Sequence, residues 1–338
     1  MAKTVLRSVC AAAFFAAGCT VGRQAAKEAP GFPKAVISNG IVEAAIYLPD
    51  PVAGYYRGQR FDWSGLVEEV KYAGHTYFGR WKVQHAPDNH DDVVGPAEEF
   101  GMGQFAMPAP LGYQEAKPGE PFVKLGVGVM EKAQPEYWFF GKYKWIRPGE
   151  WKVESGPNWV EFRQRLRTEF GWGYDYAKRI VLEKSEPRMT IRHTLRNTGS
   201  RPIHNTVYCH NFLMIDGEPV GPSYVLRFPF EVTAKSDLKG LAAVKGKEIV
   251  FTREFAPDKD VLFTILGGFG NSVSDNEVTV ENTKTGAGVE IAGTLPLLQF
   301  CLFCVRTALC PEPFVNIELA PGEKQRWEVS YSFFAVRR

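Results

Sequence analysis

Three polar side chains that could do chemistry fall within seven residues near the middle of the chain. His210 and Asn211 interrupt a run of strand-forming residues, and Asp216 closes the run in an Asp-Gly turn. An imidazole can exchange a proton near neutral pH, and an amide or a carboxylate can hold polar groups of a ligand. Residues 207–217 are therefore a candidate site segment. The alternative is a histidine and an asparagine whose hydrogen bonds are satisfied inside a sheet.

A second candidate segment, residues 55–65, is dense in aromatic and charged side chains. It contains Arg60, Asp62 and Trp63, and such charges are costly in a plain buried strand. An arginine fork binds hydroxyls and carboxylates, and a tryptophan offers a face for stacking. The alternative is a surface ion pair that lies over an aromatic cluster.

The polar, turn-rich segment 85–102 is a third candidate, because such loops often carry function. It contains His90 and the adjacent carboxylates Glu98 and Glu99. Neighbouring residues of a strand face opposite ways, so at most one of these two carboxylates can point into a given site. The histidines and aspartates of this segment have no zinc-motif spacing, and we predict no metal and no cofactor.

The cysteines favour the same conclusion about metals. Cys301 and Cys304 form a Cys-x-x-Cys without a second pair at metal-ligand spacing, and they lie in an apolar run typical of a strand. Cys209 and Cys310 also lie beyond the N-terminal segment. An exported protein could pair its cysteines, but we favour buried thiols, which behave as small apolar groups.

The N-terminus has the pattern of a secretory signal. Lys3 and Arg7 precede an apolar run of small residues that ends at Cys19, and the preceding residues resemble a lipobox with Ala16 in place of the usual leucine. We predict a signal peptide over residues 1–19, a linker over 20–34, and export. The product is either periplasmic or a lipoprotein attached to the membrane through Cys19.

Composition and periodicity predict the fold of residues 35–338. The net charge is +2, from 40 basic and 38 acidic residues, so the chain has no electrostatic footprint for nucleic acid. Apolar residues make up 45% of the chain, enough for a large core. Short runs with strand periodicity follow one another without a helix or a repeat. We expect an all-β fold, one large antiparallel β-sandwich, with residues 123–130 as one strand and 137–145 paired with 151–153.

Three regions of the sequence resemble the aldose 1-epimerase (galactose mutarotase-like) superfamily. They are residues 61–78, residues 197–212, and residues 304–323 with their Pro-Gly turn at 321–322. The resemblance implies the supersandwich of that superfamily and a carbohydrate ligand. It also implies acid-base chemistry at the anomeric carbon, with His210 as the acid and with Asn211 or Asp216 binding hydroxyls.

The chain departs from that pattern at the catalytic base. Arg306 occupies the position that best matches the glutamate of the superfamily, and the nearest carboxylate is Glu312. Glu98 and Glu99 stand where the superfamily has an earlier histidine. The base is therefore Glu312, Glu98 or Glu99, and Arg306 is expected to bind a ligand or to orient Glu312.

Three functions remain open at this point. The first is an exported sugar isomerase that works at the anomeric centre. The second is a lyase or hydrolase on the same fold, in which Arg57, Arg60 and Arg306 bind an acidic glycan. The third is a non-catalytic glycan-binding lipoprotein. The candidate catalytic residues are His210, Glu312 and Glu99, and the candidate ligand-binding residues are Arg60, Asp62, Trp63, His90, Glu98, Asn211, Asp216 and Arg306.

Overall fold

The computed structural model describes residues 31–336, which form 23 β-strands and two short 3-10 helices, Ile215–Gly217 and Val273–Asp275. Within that range no helix is long and apolar enough to span a bilayer. The predicted signal peptide and most of the predicted linker lie outside the described residues. The strands are β1 Lys34–Ser38, β2 Val42–Tyr47, β3 Leu66–Tyr72, β4 His75–Thr76, β5 Ala97–Phe100, β6 Pro121–Lys124, β7 Gly128–Glu131, β8 Lys144–Pro148, β9 Trp151–Gly156, β10 Trp159–Arg167, β11 Gly173–Leu182, β12 Arg188–Asn197, β13 Ile203–His210, β14 Tyr224–Arg227, β15 Thr233–Ala234, β16 Ala242–Lys245, β17 Glu248–Phe251, β18 Leu262–Gly267, β19 Glu277–Asn282, β20 Ala287–Gly293, β21 Gln299–Val305, β22 Ala308–Leu319 and β23 Lys324–Ala335.

Two antiparallel sheets make up most of the fold. The larger has ten strands in the order β16-β17-β14-β19-β20-β23-β12-β11-β10-β9, and the other has six in the order β15-β18-β21-β22-β13-β5. Smaller sheets of four strands (β1 to β4) and three strands (β6 to β8) complete it. This confirms the predicted all-β, antiparallel class. Buried and charged residues alternate along β10, which is typical of a strand with one face on the core and the other in solvent.

Two local predictions are wrong in the same region. Residues 123–130 form two strands, β6 and β7, which are joined by a turn in which Gly126 has a φ of 74°. The predicted pair 137–145 with 151–153 is not formed, because β8 pairs with β7 and β9 pairs with β10. The turn between β8 and β9 is bonded to the segment between β6 and β7, where the amide of Gly149 donates to the carbonyl of Val127 at 2.7 Å. Local turn chemistry predicts the turn but not its tertiary partner.

The sandwich begins slightly before the predicted boundary. Phe32, placed in the linker by its sequence context, makes edge-to-face contacts with Tyr47, Tyr55 and His85 at ring-centroid distances of 6.0, 5.2 and 5.1 Å. Lys34 opens β1. Packing of a partly buried aromatic ring, rather than a change in composition, therefore marks the start of the fold.

A buried polar cluster lies between the two large sheets. Lys178 of β11 bonds to the carboxylate of Glu98 on β5 and to the carbonyl of Ser64 at 2.7 Å, and its side chain is fully buried. Asp62 accepts a bond from Tyr176 at 3.0 Å. Burial raises the pKa of Asp62, although the Lys178 ammonium opposes the shift. Lys178 therefore supplies the positive charge that compensates these two buried carboxylates.

We predict that Lys178→Met destabilises the fold strongly. Removing one partner of a buried ion pair leaves an uncompensated charge and typically costs about 3–5 kcal/mol. Urea unfolding followed by circular dichroism measures the free energy of unfolding. Lys152→Met is the matched control, because Lys152 forms an exposed pair with Glu154, and a change within about 0.5 kcal/mol is expected there. Equal unfolding midpoints for the two variants would show that the cluster does not stabilise the sandwich.

Candidate active site

A histidine and a glutamate from adjacent strands meet at one end of the six-stranded sheet. In the register of β13 with β22, His204 lies opposite Glu318 and Tyr208 lies opposite Phe314. When this register is continued by two residues on each strand, His210 lies opposite Glu312. Their Nε2 and Oε1 atoms are 3.0 Å apart, and the side chains are only 6% and 5% exposed. The central histidine and one predicted base therefore form a direct pair.

Aromatic rings enclose this pair. The ring of Phe212 stacks on the His210 imidazole with centroids 3.7 Å apart and an interplanar angle of 6°, while Phe61 and Phe303 present their edges. Phe212 has a φ of 40°, which is uncommon for a bulky residue and is a form of strain that clusters at functional sites. His210 Nδ1 is buried and has no hydrogen-bond partner among the described residues. Only Nε2 can thus exchange a proton with a ligand.

The pair lines a cavity of about 240 Å³. Close to His210 the cavity is bounded by Phe212 and Phe303, and Met102 is a further apolar lining residue. Its remaining apolar lining comes from loops and neighbouring strands: Trp81, Phe105, Phe139, Phe140 and Phe263. The other polar lining residues are Arg60 and Asp91. The cavity therefore combines one acid-base pair with walls that are mostly aromatic.

Arg60 is held rigidly at the cavity by groups behind it. Its Nε donates to the Glu99 carboxylate at 2.7 Å, and its Nη2 donates to the Tyr208 hydroxyl at 2.7 Å. The guanidinium also lies over the rings of Phe61 and Phe139, at 4.5 and 4.7 Å from their centroids. No described residue accepts a hydrogen bond from Nη1. Arg60 thus offers one free donor edge beside the acid-base pair.

Glu99, predicted as a candidate base, does not line the cavity. Its carboxylate is fully buried and is bonded by Arg60, Lys124 and Tyr208 at 2.7 to 2.9 Å. Burial alone would raise the pKa of Glu99, but the charges of Lys124 and Arg60 outweigh burial and lower it. A carboxylate held ionised by two cations and a hydroxyl is suited to position Arg60 rather than to take a proton from a ligand.

Several other predicted site residues lie in the interior. Glu98 and Asp62 belong to the cluster between the sheets, on the opposite side of β5 from Glu99, as strand alternation predicts. Trp63 is buried and donates its Nε1 proton to the carbonyl of Gly58 at 2.7 Å. Asn211 is fully buried, donating to the carbonyl of Pro311 at 2.6 Å and accepting from Tyr331 at 2.8 Å. These four residues have their polar groups satisfied away from the cavity.

Asp216 and Arg306 are also placed away from the acid-base pair. The carboxylate of Asp216 lies 2.9 Å from His75 Nδ1 and accepts the backbone proton of Thr76 at 3.0 Å. Arg306 pairs with Glu254 and donates to a backbone carbonyl at 2.8 Å. The predicted partnership of Arg306 with Glu312 is therefore not formed. Arg306 lies in the turn after β21 and is not among the residues that line the cavity.

His90 lies beside the cavity rather than in its lining. Its ring centroid is 4.3 Å from that of Phe140, and its Nε2 is 3.7 Å from the carboxylate of Asp91, which does line the cavity. Sequence reasoning missed the aromatic lining residues, because they come from loops and strands that are far apart along the chain. Their only signal is the high aromatic content of the chain, 13%.

The donor set offers little to a metal ion. Among residues 31–336 no group of three or more histidine, cysteine, aspartate or glutamate side chains could hold one. Cys209, Cys301, Cys304 and Cys310 are free and buried, as their apolar context predicts. Burial raises the pKa of these thiols, which makes them poor nucleophiles and poor ligands.

Comparison with known proteins gives a consistent result for the fold. No family model matches the sequence, and no curated protein matches it. Solved structures do match over nearly the whole chain. A candidate aldose 1-epimerase from Escherichia coli K12 has a TM-score of 0.53 and 13% identity, with 90% of this chain and 100% of that chain covered.

Two further structures agree. A galactose mutarotase-like protein from Clostridium acetobutylicum has a TM-score of 0.54 and 13% identity, with 89% of this chain and 95% of that chain covered. Another galactose mutarotase-like protein, from Lactobacillus casei, has a TM-score of 0.51 and 12% identity, with 89% of this chain and 100% of that chain covered. At such identities the likeness establishes the fold rather than the activity. The chain has the galactose mutarotase-like β-sandwich fold, as the resemblance in its sequence predicts.

Proposed function

We propose that the protein binds a reducing sugar and exchanges its anomers by acid-base catalysis. The observation that carries this proposal is the contact of His210 Nε2 with Glu312 Oε1 at 3.0 Å inside a cavity. The solved structures with this fold include proteins described as aldose 1-epimerase and galactose mutarotase-like, which supports a carbohydrate ligand.

The chemistry requires two proton transfers at neighbouring oxygens. The ring oxygen and the anomeric hydroxyl are bonded to the same carbon, so an adjacent acid and base can reach both. Glu312, as carboxylate, removes the proton of the anomeric hydroxyl, while His210, as imidazolium, protonates the ring oxygen through Nε2. The carbon–oxygen bond of the ring breaks and an aldehyde forms.

Ring closure reverses these transfers. After the aldehyde rotates, the neutral imidazole takes a proton from the hydroxyl that closes the ring, and the Glu312 carboxylic acid returns one to the carbonyl oxygen. The pair holds the same number of protons before and after the cycle, so it is ready for the next turnover. Arg60 Nη1 can hold a further hydroxyl, which orients the sugar.

The alternative of a lyase or hydrolase for acidic glycans has less support. It depends on Arg57, Arg60 and Arg306 together binding carboxylates. Arg57 instead pairs with Asp88 and bonds to backbone carbonyls, and Arg306 pairs with Glu254. Of the three arginines, Arg60 alone is among the cavity's lining residues.

We further propose that the protein is exported, on the strength of the N-terminal pattern around Lys3, Arg7 and Cys19. Lipidation at Cys19 would attach it to the membrane, and cleavage without lipidation would release it.

We predict that His210→Gln and Glu312→Gln each lower the rate of anomer exchange by about 10²–10⁴-fold, the usual contribution of general acid-base groups. Exchange spectroscopy by NMR on a panel of reducing sugars measures the rate. The matched controls are His204→Gln and Glu318→Gln. These residues form an exposed histidine–glutamate pair on the same two strands, and their replacement should leave the rate unchanged.

The double variant His210→Gln with Glu312→Gln separates catalysis from folding, because it leaves no unpaired buried charge. It should keep a cooperative unfolding transition and remain inactive. A folded double variant with the wild-type exchange rate would rule out the proposed mechanism. Sugar binding without any exchange in the wild type would favour a non-catalytic binding protein.

The N-terminal proposal predicts the mass of the mature protein. When a bacterial host exports the full chain, the product should begin at or close to Cys19, and a diacylglycerol mass on Cys19 would support the membrane anchor. Intact-mass spectrometry of the membrane and soluble fractions measures this, with Cys19→Ala as the control. A soluble wild-type product cut at another residue would show that Cys19 is not an anchor.

A further inference from the structure

The cavity beside His210 has walls that are poorly suited to a fully hydroxylated sugar. Eight of its twelve lining residues are aromatic or methionine. An aldohexose carries a hydroxyl or a ring oxygen on nearly every carbon, and each of these groups needs a hydrogen-bond partner once it leaves water. A buried hydroxyl without a partner costs free energy.

The polar groups of the lining are largely engaged within the protein. Trp81 donates its Nε1 proton to the carbonyl of Val93 at 2.9 Å. Arg60 uses Nε and Nη2 for Glu99 and Tyr208. Asp91 forms an ion pair with Lys82 through Oδ1. What remains for a ligand is Arg60 Nη1, the second oxygen of Asp91 and the acid-base pair itself. These groups can serve the anomeric centre and one or two hydroxyls.

The apolar part of the lining includes two partly exposed rings. Phe105 and Phe140 are 44% and 37% exposed. Phe105 stacks on Phe263 with centroids 5.2 Å apart, and Phe140 contacts Phe139 at 3.9 Å. Each of the two is thus an exposed ring supported by a second one. Such supported rings lose little conformational entropy when an aromatic ligand group stacks on them.

We propose that the ligand is a single-ring reducing sugar that bears an aromatic substituent at the end remote from its anomeric carbon. This inference rests on the proposed function, which places the anomeric carbon at His210 and Glu312. In a six-membered sugar ring the substituents on C4 and C6 extend away from C1, and the partly exposed rings of Phe105 and Phe140 line the same cavity as the acid-base pair. The volume of about 240 Å³ lies below the roughly 300–1,000 Å³ of drug-sized pockets, which suits one sugar ring with one substituent.

Binding of three probes tests the proposal: D-glucose, 4-O-benzyl-D-glucose and 6-O-benzyl-D-glucose, measured by titration calorimetry. At least one benzyl sugar should bind about tenfold or more tightly than glucose, because a stacked aromatic group adds to the affinity. Phe105→Ala and Phe140→Ala should each weaken binding of that benzyl sugar by about three- to tenfold, with a smaller effect on glucose. Trp145→Ala is the control, because Trp145 is a partly exposed aromatic residue that does not line the cavity.

The outcomes separate this proposal from the proposed function. Equal affinity for glucose and both benzyl sugars would overturn the inference, and so would tight benzyl binding that neither phenylalanine variant weakens. If glucose is exchanged efficiently in either case, the mutarotase proposal still stands. Conversely, the protein could bind a benzyl sugar through Phe105 or Phe140 without exchanging its anomers. That result would support the proposed ligand class and overturn the catalytic proposal.

Discussion

The burial of two adjacent carboxylates on one short strand constrains most of this structure. Glu98 and Glu99 of β5 are 3% and 0% exposed, and strand geometry points them to opposite sides of the sheet. An unpaired buried carboxylate is too costly to keep ionised, so each side must supply cations and donors. Lys178 compensates Glu98 between the sheets, and Arg60 with Lys124 compensates Glu99 on the other side.

This arrangement couples the core to the cavity. The pair of Glu98 with Lys178 joins the six-stranded sheet to the ten-stranded sheet. The pair of Glu99 with Arg60 holds the guanidinium beside His210, and the hydroxyl of Tyr208 on β13 accepts a second hydrogen bond from it. Even-numbered residues of β13 thus face the cavity side, while Cys209, between them, faces the core and lies 3.3 Å from the Tyr331 hydroxyl. A replacement on β5 therefore acts on both stability and the site.

The sequence was informative where local rules decide the outcome. Strand alternation predicts the opposite orientations of Glu98 and Glu99, and the polar interruption at residues 210–211 predicts the end of β13. The sequence was uninformative where contacts between distant segments decide the position of a side chain. Asp216 stands six residues after His210, yet a short helical turn carries it to His75. The aromatic lining could not be predicted either, because its rings come from loops and strands that are distant along the chain.

Strands β13 and β22 carry two histidine–glutamate pairs in the same register, and comparing them shows what burial contributes. His204 and Glu318 are 65% and 53% exposed, so water and salt screen their interaction. His210 and Glu312 are almost fully buried among aromatic rings, where charges interact strongly and few competing donors are present. The two pairs share residue types and strand register, so the aromatic enclosure is what makes the inner pair suitable for acid-base chemistry.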